Sequence, residues 1–209
     1  MSSSASSTHH SPALKHALRR FRAVGGTKVL DLGPALGRNV KFLSPFISKL
    51  YIADLYGTLK SKAGSTPLGH TKLDRILKQD LPPASEAPID LILAWDLMNY
   101  LDREQLTTLG NHLAGLCRRD SLIVAQISTL KEIPEIPTRF LILDPETLLY
   151  ENDSRRQRSA PGYKEPDIER LMPAFEVETT FLLRHGVQEY VLTTRSLPPA
   201  DRPDGRRPL

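Results

Sequence analysis

The sequence has little cysteine, few aromatic residues and no long apolar run, and each shortage excludes something. With one cysteine in 209 residues, Cys117, the chain forms no internal disulfide and no cysteine-cluster metal site, a usage that fits a reducing cytoplasm. No stretch approaches the roughly 18 consecutive apolar residues of a membrane-spanning helix. Aromatic residues make up only 6% of the chain and do not alternate with basic ones, which argues against single-stranded nucleic acid as a partner. Met1–Ser11 is rich in serine and histidine and lacks the apolar core of a secretory signal.

What is present is ordinary in amount and uneven in placement. The chain is 40% hydrophobic and 25% charged, with a net charge of +4, as expected of one domain large enough to bury a core. Residues 1–50 hold eight Lys/Arg against a single acid, Asp31. Such a segment could steer an anionic partner, but a solvated helix face accounts for it more simply. Residues 1–10 and 197–209 read as disordered tails, leaving one domain over 11–196.

Within that domain, strands and helices alternate. Ser11-Pro12 reads as a helix start, with Leu14, Leu18 and Phe21 at helical spacing. Strands are expected at Lys28–Leu32, Lys49–Ala53, Arg75–Lys78, Ile89–Ala94 and Ser121–Ile127, with helices at Arg38–Ser44 and Arg103–Leu116 between them. This order predicts a parallel sheet covered on both faces. After a short helix at Asp167–Met172, Phe175–Arg184 and Val187–Thr194 read as a hairpin turning at His185-Gly186. Residues 131–164 break the rhythm. Phe140–Leu143 and Leu148–Tyr150 flank a turn at Asp144–Thr147, and a stretch this long between sheet elements is expected to be a lid or a substrate-binding insertion. The apolar hairpin around Asp144-Pro145 could also cover a neighbouring subunit in a homodimer.

The most informative segment is Leu30-Asp31-Leu32-Gly33-Pro34-Ala35-Leu36-Gly37. An apolar strand ends in glycine, and a second glycine stands where the next helix begins, so backbone N–H groups lie open to a ligand. Asp54, 23 residues beyond Asp31 and at the end of the second strand, is placed to bind both hydroxyls of a ribose.

These residues resemble the first motif of the class I S-adenosylmethionine-dependent methyltransferases. The resemblance implies a Rossmann-like α/β fold with a mostly parallel seven-stranded sheet and an antiparallel C-terminal hairpin strand, S-adenosylmethionine as cofactor, and methyl transfer as the reaction. It further implies that Asp31, Gly33, Ala35 and Gly37 surround the cofactor's amino-acid end, that Asp54 holds the ribose, and that Asp80, in Lys78-Gln79-Asp80-Leu81-Pro82, contacts the adenine. Ala35 replaces the family's middle glycine; at positive φ it would cost about 1 kcal/mol.

The loop after the fourth strand, Ala94–Leu101, is expected at the carboxyl edge of the sheet, where ligands bind in open α/β folds. Trp95 is the candidate wall of the cofactor pocket, and Asp96, Asn99 and Tyr100 are the candidates for contact with the methyl acceptor. Asp96 could accept a proton or bind an amine. The sequence lacks the Asn/Asp-Pro-Pro-Tyr/Phe signature of enzymes that methylate planar amino groups of adenine or glutamine. Cys117 stands in no Pro-Cys context, against a thiolate mechanism. An O or N atom of a small molecule is therefore the expected acceptor, with no metal required. Arg139 and Arg155–Arg158 could recognise a carboxylate or phosphate on it. Two other readings compete: a methyltransferase-like binding module that no longer turns over, and a nicotinamide-dependent dehydrogenase. The second lacks its Gly-x-Gly-x-x-Gly fingerprint.

Overall fold

Every residue of Ile89–Trp95 is buried, the mark of a strand covered on both faces in a parallel sheet. A computed structural model of the protein describes residues 5–22, 26–63 and 70–195. In chain order the first elements are β1 (Ala5–His10), α1 (Pro12–Arg22), β2 (Thr27–Asp31), α2 (Gly37–Leu43), β3 (Ile47–Ile52), α3 (Leu55–Ala63) and α4 (His70–Asp80). Next come β4 (Ile89–Trp95), α5 (Arg103–Ala114), β5 (Cys117–Ser128), β6 (Glu132–Pro134), β7 (Arg139–Asp144), β8 (Thr147–Asn152) and β9 (Gln157–Ser159). The chain then forms α6 (Glu165–Leu171), β10 (Phe175–Leu183) and β11 (Val187–Thr194).

The main sheet has six strands in the order β10-β11-β5-β4-β2-β3. Strands β3, β2, β4 and β5 run parallel, and β11 and β10 are antiparallel. The two faces of β4 divide the core in two. Ile89, Ile92 and Ala94 face α3 to α6, packing with Leu59, Leu77, Leu109 and Ile168. Leu91, Leu93 and Trp95 face α1 and α2, packing with Leu14, Leu18 and Leu43. Local signals mark the helix starts. Ser11 Oγ accepts from Leu14 N at 3.3 Å, and Asp102 and Gln105 form a reciprocal capping box on α5.

Two expectations are corrected. Residues 75–78 are helical, within α4, which leaves the sheet one strand short of the expected seven. Leu73, Ile76 and Leu77 are buried together at helical spacing, a period that a four-residue window hides. The expected tail over 1–10 is instead a strand from Ala5 onward. β1 pairs with β8, completing a second sheet in the order β1-β8-β7. Its sequence carries no apolar alternation because it is a polar edge strand held by backbone pairing. Residues 197–209 lie outside the described residues.

The expected insertion is built from β6 to β9. Phe140, Ile142 and Leu148 of the β7–β8 hairpin are buried in the chain's own second core, so the side chains that suggested a subunit contact are already covered. Asn39 of α2 clips the hairpin in place. It donates to Phe140 O and accepts from Ile142 N, both at 2.8 Å. The basic N-terminal stretch is ion-paired on the surface: Lys15 with Glu146, Arg20 with Glu178 and Asp120, and Lys49 with Glu86. No described helix is long and apolar enough to cross a membrane.

Candidate functional site

Three chain segments converge at the carboxyl edge of the parallel strands: the turn after β2, the end of β3 and the loop after β4. Leu32, Gly33, Pro34 and Leu36 from the first, Asp54 from the second and Ala94–Leu97 from the third surround a cavity of about 200 Å³. Tyr56 and residues 136–140 of the insertion close its outer side.

Asp31 ends β2 and is 2% exposed. Its Oδ1 accepts from Gly33 N at 2.9 Å and from the Trp95 indole at 2.6 Å. Burial raises its carboxyl to about 6, against the lowering effect of these two bonds. Trp95 holds φ at 49°, an outlier for a bulky side chain, and its ring stacks on Phe140 with centroids 5.4 Å apart and planes 6° from parallel. The indole lies over the glycine turn. A Cβ at Gly33 would stand 2.9 Å from Trp95 Cδ1, so this glycine serves close approach.

The rest of the turn departs from expectation. Ala35 is exposed and keeps an ordinary φ, since Trp95 and Asp120 are the positive-φ non-glycine residues described. The substitution therefore carries no strain. Gly37 begins α2 in open space, where an added Cβ would meet nothing within 4 Å, and neither Ala35 nor Gly37 lines the cavity. Asp54 lines it while also capping α3: its Oδ1 accepts from Gly57 N at 2.9 Å. Asp80 does not join the site. It ends α4, 3.8 Å from Lys62, because the strand expected to deliver it to the sheet edge is absent.

Beyond Trp95 the chain turns through a short 3-10 helix, Leu97–Tyr100, buried throughout. Asp96 Oδ2 accepts from Thr138 N at 2.9 Å. Burial raises the Asp96 carboxyl to about 7, opposed by the Thr138 backbone and hydroxyl bonds. Asn99 is fully committed to the backbone: its amide donates to Asp96 O at 3.0 Å and Gln126 O at 2.9 Å, and its oxygen accepts from Ser128 N at 3.0 Å. The Tyr100 hydroxyl donates to Pro134 O and Ile136 O, at 3.1 and 3.0 Å, tying the loop to the insertion. Of the three acceptor-contact candidates, Asp96 alone lines the first cavity.

Thr138, Phe140 and Tyr56 were missed in sequence. Only the anomalous length of 131–164 pointed toward the first two. Arg139 reaches the cavity rim, but its guanidinium is engaged by Asp153 at 3.0 Å and Glu151 at 3.5 Å, while the Arg158 guanidinium lies 5.6 Å from the Tyr100 ring centroid. Cys117 opens β5, and burial pushes its thiol up to about 12, which suits no nucleophile.

The chain has the fold of the class I S-adenosylmethionine-dependent methyltransferases. No protein-family profile matches its sequence, and no curated protein matches it. The likeness is to solved structures. One is an S-adenosylmethionine-dependent methyltransferase from Clostridium acetobutylicum, 12% identical with a TM-score of 0.53 over 88% of this chain and 92% of that one. Another, a protein from Pyrococcus horikoshii, is 13% identical with a TM-score of 0.52 over 88% of each chain.

Proposed function

We propose that this protein is an S-adenosylmethionine-dependent methyltransferase acting on an O or N atom of a small molecule. The observation that carries this reading is the cavity at the carboxyl edge of the sheet, where the glycine turn, Asp54 and the loop after β4 meet. Its volume, about 200 Å³, and its largely apolar wall suit the nucleoside end of the cofactor, with Asp54 on the ribose. The amino-acid end belongs against Gly33, where the Trp95 indole now lies, so accommodating the whole cofactor requires that ring to swing aside.

When bound, the cofactor supplies an electrophilic methyl group on a sulfonium. What falls to the chain is alignment and, for an acceptor that carries a proton, a base. Asp96 takes the second role: its carboxyl changes charge near neutrality and borders the cavity. Asn99 and Tyr100 are positioning residues that hold the Asp96 loop.

Trp95 is the only tryptophan in the chain and lines the cavity, so it reports directly on binding. Titration with S-adenosylhomocysteine is expected to change its emission saturably, with matching one-to-one heat in calorimetry. Asp54→Ala should weaken binding by about tenfold or more, equivalent to at least ~1.4 kcal/mol. A flat titration by both methods overturns the reading.

One observation favours a second reading, a binding module without turnover. The Trp95 indole both covers Gly33 and occupies Asp31 Oδ1, filling the place meant for ligand. On that reading Trp95→Ala binds the nucleoside far better than the native protein, and no acceptor is methylated by either.

A further inference from the structure

Behind Asp96 lies a second cavity, of about 120 Å³, which shares Asp96, Thr138 and Phe140 with the first. One wall is aromatic: the rings of Phe140 and Tyr150 meet edge to face, centroids 4.7 Å apart and planes at 73°. Gln126, near the end of β5 and 1% exposed, also lines the cavity.

The polar groups here are oriented and unspent. Gln126 Nε2 reaches Glu189 Oε1 at 3.5 Å. Glu189 is itself fully buried and accepts from Ser11 Oγ at 2.6 Å and Ala13 N at 2.9 Å. With the amide nitrogen on Glu189, Gln126 Oε1 is left buried and without a partner, on a side chain that lines the cavity. The Tyr150 hydroxyl, on the same cavity, also has none, nor has Nε2 of His185, whose ring packs against Tyr150. These three buried atoms without a hydrogen-bond partner thus gather at this end of the sheet. Burying a polar group without a partner is unfavourable, and a ligand bearing the complementary donor removes that cost.

We propose that this cavity is a binding site for a small planar nitrogen heterocycle, which gives an N–H to Gln126 Oε1, exchanges a hydrogen bond with the Tyr150 hydroxyl, and packs its ring on Phe140. Three features define that class. A cavity of about 150 Å³ admits benzene, so this one admits a five-membered ring. Its acceptors, Gln126 Oε1 and the Asp96 carboxyl, call for a donor and disfavour an anion. Its wall is aromatic. If the reading of the first cavity holds, the heterocycle is the methyl acceptor, since the two cavities adjoin at Asp96.

Ligand-observed NMR on the full chain tests this with pyrazole as the probe, furan as a ring of similar size without N–H, and acetate as the anion. Pyrazole is expected to bind saturably at one site, with furan and acetate failing to compete. Gln126→Leu and Tyr150→Phe should each weaken pyrazole by about tenfold while keeping a cooperative melt. Absence of pyrazole binding, equal binding of furan, or unchanged affinity in both variants overturns the proposal. Parallel titration of S-adenosylhomocysteine, read by Trp95 emission, separates the two claims. Pyrazole binding without a cofactor response supports the heterocycle site and sinks the methyltransferase reading. A cofactor response without pyrazole binding does the reverse.

Discussion

Asp96 couples the site to stability through its proton. In the unfolded chain its carboxyl titrates near pH 4; burial in the fold raises it to about 7. The folded state therefore binds the extra proton between those values, so the stability this group contributes is full below about pH 4 and drains away as pH rises to 7. The change amounts to about 4 kcal/mol. Asp31, raised to about 6 by burial, adds a smaller total change of the same sign over a narrower pH range. Asp96→Asn keeps an acceptor for Thr138 N and removes the titration. Urea unfolding from pH 4 to 8 should show a shallower decline for the variant and greater stability than the native chain above pH 7. Equal slopes would mean that the carboxyl is not held protonated.

At the level of elements, the β7–β8 hairpin is fastened to α2 through one buried side chain. Asn39 satisfies a carbonyl and an N–H of β7 at once; Asn39→Ala leaves both without a partner and should cost about 2–4 kcal/mol. Hydrogen exchange should quicken first in β7 and β8, and uniform acceleration across the sheet would refute the clip. How far these elements could be read from sequence depends on whether they carry their own pattern. β2, β4, β5 and the terminal hairpin have apolar runs, and each falls within a few residues of its expected limits. Residues 75–78 misled because four residues cannot distinguish periods of 2 and 3.6, and β1 because an edge strand of Ser, Thr and His draws its order from β8. The site divides in the same way. Asp54, Trp95 and Asp96 follow from strand ends and sheet chirality, whereas Thr138 against Asp96 and Phe140 against Trp95 are meetings of segments far apart in sequence that no local pattern records.

For the whole molecule, β1 also reaches the turn between β10 and β11. His9 packs against His185 with centroids 3.9 Å apart and planes tilted by 32°, and against Tyr150 at 4.5 Å with planes at 51°, joining the first described strand to the turn between the last two. Removing residues 1–10 would open the edge of β8 and strip one side of Tyr150. The shortened chain is expected to unfold at lower urea and to self-associate through the exposed strand, which light scattering would detect. An unchanged midpoint with no association would show that β1 is dispensable.

The register between β1 and β8, Ala5 opposite Asn152, also imposes an order on biosynthesis. At about 5–20 residues per second, the opening strand leaves the ribosome roughly 7 to 30 s before its mate. Its serines, threonine and histidines are well suited to that wait, since a strand without greasy side chains offers a chaperone or a stray nascent chain little to grasp.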